Sequence, residues 1–295
     1  MVTSRVGPAA ADPRSRVSAL LAELGVTQPL LAVTDHGARL GVVQGVLADR
    51  ILDLAVTESG RLRLRAELRG RRWAEERGIG VPDVLGAADD GRWLLSRRVH
   101  PGPVGGARWT EGAIEAAVRI APLPPPPGSP WRPQGGGTVR TAGLRRALGS
   151  VEDAGRLVRG GVRLSELRAV RAAAGELPLA EACHGDLRAA NLVLDGEVGG
   201  IVVLEWAGVR TGPRHHDLLT LWATSAGDAD RARMADVVRE HTAAWEHPDV
   251  GLLWQAIALE QLVARLTRPD RGDGLDAAFA HARLAEARRI AADLG

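Results

Sequence analysis

Residues 183–195 read Cys183-His184-Gly185-Asp186-Leu187-Arg188-Ala189-Ala190-Asn191-Leu192-Val193-Leu194-Asp195. A polar cluster (His-Gly-Asp, then Asn five residues after the Asp) runs straight into an apolar triplet. An Asp195-Gly196 turn follows, and then a second apolar run, Ile201-Val202-Val203-Leu204. The two runs predict a short β-hairpin, an isolated β-island in a half of the chain that otherwise reads as helix.

Outward from this island the chain divides in two. Before it lie a helical segment, Arg16–Leu24, and β-like runs at Leu30–Val33, Gly41–Leu47 and Ile51–Val56. A helix is predicted over Arg61–Arg77, with Gly78 just past its end. Strands are predicted at Val81–Leu85 and Arg92–Val99, the latter after an Asp89-Asp90-Gly91 turn. Pro101–Gly106 breaks the pattern and is the candidate hinge. Beyond it come a short helix at Ile114–Ile120, a Pro/Gly-rich loop over Ala121–Gly137, and helices at Thr141–Leu148, Val151–Val158, Leu164–Ala174, Leu252–Leu266 and Leu275–Leu294. Gly37, Gly41 and Gly45 lack the spacing of a nucleotide-covering loop and read as turn glycines.

Taken with its downstream context, the stretch resembles the catalytic segment of the aminoglycoside phosphotransferase and choline-kinase-like small-molecule kinases. The match covers HGDLxxxN, the hairpin, then Glu205-Trp206 where the family has Asp-Trp, and Gly212-Pro213-x-x-x-Asp217-Leu218. The resemblance implies an α+β, two-lobed protein-kinase-like fold, with an N-lobe over residues 1–100 and a C-lobe over 101–295. It implies transfer of the γ-phosphate of ATP or GTP to a hydroxyl, which needs a carboxylate to orient the acceptor and an amide oxygen nearby to hold Mg²⁺. Asp186 is then the base, Asn191 and Glu205 the metal ligands, and His184 a brace for the loop. Arg188 is placed to meet the transferring phosphate, and Asp217 to tether the turn ahead of the next helix. On the N-lobe side Glu67 matches the helix carboxylate that normally pairs with a strand lysine.

That lysine is missing. All 38 basic residues are arginine, and the matching strand, Ile51–Val56, offers only Asp53 as an ionisable group. Arg50, Arg63 or Arg65 are the candidates to replace it, although arginine is longer, planar and bidentate. The change to Glu at 205 moves its carboxylate by about one C–C bond, and octahedral Mg²⁺ tolerates misplacement poorly. Two functions therefore stay open. One is a kinase acting on an aminoglycoside-like or other small alcohol, or on a biosynthetic peptide. The other is a pseudokinase that binds a peptide or protein partner.

Composition limits the rest. A net charge of +2 without basic runs interleaved with aromatics argues against nucleic acid as a partner. The one cysteine excludes an internal disulfide and reads as a small buried apolar residue. Met1–Arg16 lacks the apolar segment of a signal peptide, and no apolar run approaches the ~18 residues of a membrane span, so the expected location is cytoplasmic with no membrane partner. His215-His216 reads as a polar turn more readily than as a metal pair. Trp206, Trp222, Trp245 and Trp254 read as core residues, with stacking in a substrate cleft the alternative.

Overall fold

The N-terminal half carries near-continuous apolar strands, a pattern expected when both faces of a sheet are covered. The computed structural model describes residues 12–36, 40–102, 105–124, 150–179, 181–196, 199–242, 247–267 and 276–294. In it five strands form one antiparallel sheet in the order β1-β2-β3-β5-β4. They are β1 (Ala32–Asp35), β2 (Val42–Val46), β3 (Arg50–Ala55), β4 (Val84–Ala87) and β5 (Trp93–Arg97). Side chains alternate between two small cores. Val43, Leu52 and Leu95 pack with Val17 and Leu21 of α1 (Pro13–Glu23). Val42, Ala55 and Leu94 pack with Leu64 of α2 (Glu58–Glu75) on the opposite face. Gly41 precedes β2 and Gly45 lies within it, while Gly37 falls outside the described residues.

Helix α2 begins three residues before the predicted start. Thr57 caps it, its hydroxyl accepting the Gly60 N–H at 3.1 Å, and Glu58 complements the dipole of the first turn. Its buried residues include Gly60, Leu64, Glu67, Gly70, Arg71 and Ala74, so one stripe of the helix carries a carboxylate and a guanidinium inward.

The C-lobe is helical: α3 (Ala107–Ile120), α4 (Val151–Arg159), α5 (Leu164–Ala174), α6 (His216–Thr224), α7 (Asp228–Thr242), α8 (His247–Thr267) and α9 (Ala277–Leu294). The long α8 packs on α4, α5, α6 and α9. Trp222 and Trp254 meet edge to face at 5.4 Å and are fully buried, as is Trp206, so these three are core residues and line no cleft. Trp245, the Thr141–Leu148 helix and most of the Ala121–Gly137 loop fall outside the described residues. No helix among the described residues is long and apolar enough to cross a membrane.

Helix α3 starts seven residues before the predicted Ile114, directly after Gly106. The candidate hinge therefore ends in a helix N-terminus, and its front docks on the hairpin, with the Gly102 N–H donating to the Leu194 carbonyl at 2.7 Å.

Four short strands frame the stretch that decided the fold. β7 (Leu192–Leu194) pairs with β8 (Ile201–Val203) as predicted. Around them β6 (Glu181–Cys183) pairs with β9 (Arg210–Gly212), which the sequence did not announce. The loop joining β6 to β7 and the turn joining β8 to β9 must therefore lie side by side.

α2 closes on that turn at Gly70, where an added Cβ would sit 2.5 Å from the Trp206 carbonyl oxygen. A neighbour that is backbone cannot rotate away, and overpacking of this kind costs about 1–3 kcal/mol. Gly70→Ala should therefore lower the stability measured by urea unfolding, although alanine is intrinsically favoured in a helix by about 1 kcal/mol. A rise in stability would mean that α2 is not seated on the turn.

Candidate active site

The loop from His184 to Asn191 is fixed almost entirely by its own polar groups. Asp217, at the start of α6, accepts the backbone N–H of His184 at 2.5 Å and of Gly185 at 3.0 Å through its two oxygens. Burial alone would raise its pKa, but His216, the backbone N–H donors and His184 outweigh that, and the carboxyl is held below its ordinary value. The tether expected of Asp217 thus runs to the His184–Asn191 loop, and not to the N–H groups of its own helix. Gly185 has φ +83°, and a side chain there would strike the Arg210 guanidinium at 2.3 Å.

His184 is fully buried. Its Nδ1 accepts the Asp186 N–H at 3.3 Å, so Nε2 carries the proton and donates to the Leu204 carbonyl at 2.8 Å. Its ring stands edge-on to Trp206 at 4.8 Å. Both nitrogens are engaged in structure, which leaves the imidazole no lone pair for proton transfer. The Asn191 amide N–H donates to the Asp186 carbonyl at 2.8 Å. Its amide oxygen must then face the other way. The Asn191 carbonyl in turn accepts the Leu204 N–H at 2.9 Å, which sets Glu205 one residue from Asn191.

With the loop pinned, the Asp186 carboxylate remains about one-third exposed, 3.8 Å from Arg188 Nε. Glu205 follows on the neighbouring turn in the left-handed region (φ 65°, ψ 52°), an uncommon conformation for a residue with a side chain. Its carboxylate forms an ion pair with Arg63 of α2. Oxygen donors from Asn191 and Glu205 are chemically suited to a hard divalent cation.

Glu67 faces no strand cation. Its Oε1 accepts from Arg71 Nε at 2.7 Å and its Oε2 from the Ala207 N–H at 2.8 Å. Burial opposes its charge, but Arg71 prevails and the pKa stays below the ordinary value. Arg71 continues to Ser96 Oγ on β5 at 2.6 Å. On β3 the ionisable residue on the α2 face is Asp53, which lies across from Gln44 in the ladder and accepts from its Nε2 at 3.0 Å. Arg50 is not brought to this cluster. Three residues from Asp53, it shares the α1 face of β3 with Leu52 and Leu54, by the alternation of a strand, and pairs with Asp49 at 3.5 Å. Arg65 turns to Glu58 at 3.6 Å.

Three residues essential to this arrangement were not assigned a place by the sequence. Arg71 was one arginine among many, and its only signal is the i,i+4 spacing from Glu67 on a buried stripe. Arg210 is buried under Gly185, donating to its carbonyl at 3.3 Å. Asp53 had been noted only as the strand's sole ionisable group.

Behind the loop, a cavity of about 240 Å³ is lined by α3, α6, α7, Cys183, His215 and His241. Burial pushes His215 down to about 4, so it is neutral there at pH 7. Cys183, His216 and Asp217 offer ligand atoms within 4.8 Å of one another. Both Asp217 oxygens already hold backbone N–H groups, however, and the arrangement reads as a brace.

Asp53 gives a test of the charge arrangement. Burial, opposed by Gln44 and Arg71, raises its pKa from 3.8 to about 6. Between those values the folded chain keeps a proton that the unfolded chain has released. Stability therefore falls as pH rises from about 4 to 6 and stays lower above. Asp53→Asn should remove this slope and stabilise the protein at pH 7 by about 1–3 kcal/mol, read from denaturant midpoints across pH 4–8. An unchanged slope would place Asp53 in water.

The sequence matches the model of the phosphotransferase enzyme family over residues 42–285. No curated protein sequence matches it. Among solved structures it is similar to a thermostable mutant of aminoglycoside phosphotransferase APH(4)-Ia in its apo form, with 17% identity, 92% of this chain and 97% of that one covered, and a TM-score of 0.59. It is also similar to the ADP-bound aminoglycoside phosphotransferase APH(2'')-Ib, at 12% identity, 97% and 99% coverage and a TM-score of 0.57. A choline/ethanolamine kinase family protein from Mesorhizobium loti matches at 17% identity, 95% and 94% coverage and a TM-score of 0.53. These likenesses, all at low identity, speak for the shared fold. With the family model spanning most of its length, the chain belongs to the phosphotransferase enzyme family.

Proposed function

We propose that the protein transfers the γ-phosphoryl group of ATP or GTP to a hydroxyl of a small molecule, with Asp186 as the base. The observation that carries this reading is the geometry of one loop. Asp217 and His184 fasten its backbone, the Asn191 amide closes on the Asp186 carbonyl, and the part-exposed Asp186 carboxylate lies 3.8 Å from Arg188 Nε. A rigid loop that presents one carboxylate suits orientation of an acceptor hydroxyl and acceptance of its proton.

His184 and Asp217 hold that carboxylate in place. Asn191 and Glu205 would hold Mg²⁺, which when bound neutralises phosphate charge. Arg188 stands beside the base, where charge builds on the transferring group. Glu67 keeps α2 and the 205–207 turn in register. Two related structures support nucleotide and small-alcohol substrates: APH(4)-Ia in a ternary complex with ADP and hygromycin B, and APH(2'')-IIIa with GDP and kanamycin. An aminoglycoside-like or other polyhydroxylated amine is accordingly the first acceptor class to try, with a biosynthetic peptide second.

A second reading, a pseudokinase that grips a peptide or protein, draws on one specific feature: the chain has no lysine, and β3 carries Asp53 toward α2. The two readings part in a nucleotide-consumption assay with MgATP and MgGTP across an aminoglycoside, alcohol and peptide panel. The kinase reading expects acceptor-dependent turnover that falls about 10²–10⁴-fold in Asp186→Asn, with an unchanged melting temperature. Turnover that is equal in Asp186→Asn, or absent with every acceptor, would reject it.

A further inference from the structure

We infer that the cation that grips the nucleotide's phosphates in this chain is Arg63 on α2, and that Glu205 holds it in the cleft until the phosphates arrive. The inference rests on the phosphotransferase reading above and deepens it.

Elimination and position lead to the same residue. A triphosphate needs a cation between the sheet and the catalytic loop, and the chain contains no lysine. The strand position that faces α2 holds Asp53, which would repel phosphate. Arg50 lies on the other face of β3 and Arg65 pairs with Glu58. Arg71 faces inward but is fully committed: it is buried, with Nε on Glu67 and a terminal nitrogen on Ser96. Arg188 stands 3.8 Å from Asp186 and is already assigned to the transferring group. Arg63 remains. It lies one turn before Glu67 on α2 and reaches 142 positions along the sequence to Glu205, the carboxylate beside Asn191. Asp53 puts a carboxylate on the strand and Arg63 a cation on the helix, which also keeps Glu67, paired within α2 to Arg71.

The Arg63–Glu205 pair has the properties of a holding contact. Its side chains are 30% and 46% exposed, so water screens it and it stabilises little. A guanidinium binds phosphate oxygens bidentately and more strongly than it binds one solvated carboxylate. When Arg63 moves to the phosphates, Glu205 is left free for a divalent cation. Each partner's arrival thus favours the other's, a reciprocal coupling. Without metal, the released Glu205 would stand as an unbalanced negative charge against the phosphates.

Calorimetric titration with MgATP, and with ATP in EDTA, tests this on wild type, Arg63→Gln, Arg63→Lys and Glu205→Gln, with MgGTP run in parallel. Arg63→Gln should weaken binding about tenfold or more with metal and without, and Arg63→Lys should restore part of it. Glu205→Gln should do the opposite in EDTA, tightening metal-free ATP by about three- to tenfold while removing most of the benefit of Mg²⁺. Arg63→Gln binding within about twofold of wild type, or Glu205→Gln weakening metal-free ATP, overturns the assignment and leaves the phosphotransferase reading standing. No binding of either nucleotide to wild type at millimolar concentration overturns both. Should Arg63→Gln fail to fold, Glu205→Gln alone decides, because its predicted gain in EDTA cannot arise from damage.

Discussion

The carboxylate of Glu67 joins the two halves of the molecule. One oxygen takes Arg71, which continues to Ser96 on β5, and the other takes the Ala207 N–H in the turn that carries Glu205. A buried ion pair adds little net stability, because desolvating both charges offsets their attraction. Its effect is positional. Removing either charge strands the other in the interior, so sheet, helix and turn are locked in one register. The close seat at Gly70 adds a steric constraint to the same junction, since the helix backbone rests on Trp206. The placement of Glu205 against the His184–Asn191 loop depends on that registry, because Glu205 is held on one side by Asn191 through Leu204 and on the other by Glu67 through Ala207.

Around this junction the charges are sorted unusually for a site that would meet phosphate. Three carboxylates, Asp53, Glu67 and Glu205, share the space with Arg63 and Arg71. Glu67 is neutralised by Arg71 within its own helix. Asp53 keeps only an amide donor as its close partner, and the neighbouring carboxylates push its pKa up further. An anion entering here meets repulsion from the sheet and attraction from the helix. That asymmetry follows from a composition in which arginine serves every cationic role: the long, planar guanidinium reaches from a helix where a lysine would extend from a strand.

How much of this could be read in advance follows from the range of each interaction. The His184–Asn191 loop and the β7–β8 hairpin were legible because their groups lie within one short segment, where spacing fixes geometry. Glu67 was legible by position, yet its partner was not. Arg71 is one of many arginines, and only the folded sheet reveals that it points inward to Ser96. β6 and β9 escaped notice because Glu181-Ala182-Cys183 and Arg210-Thr211-Gly212 lack the apolar runs that mark β7 and β8, and their pairing spans residues 181 to 212. The face on which Arg50 lies was hidden for a related reason. A strand's face depends on which residues its neighbours bury, and here Leu52 and Leu54 set that face toward α1. The early start of α2 was written in Thr57, whose capping role is invisible to a count of apolar positions.

The two departures from the family pattern, a missing lysine and a glutamate for aspartate, appeared independent in sequence and meet in space. A left-handed residue with a side chain costs on the order of 1–3 kcal/mol and persists only where its flanks are pinned, as they are at Leu204 and Ala207. From that fixed backbone an aspartate would end about one C–C bond sooner, farther from α2. The longer glutamate reaches Arg63. The cation on the helix and the longer acid on the turn are thus the two ends of one ion pair, and a change at either is felt at the other.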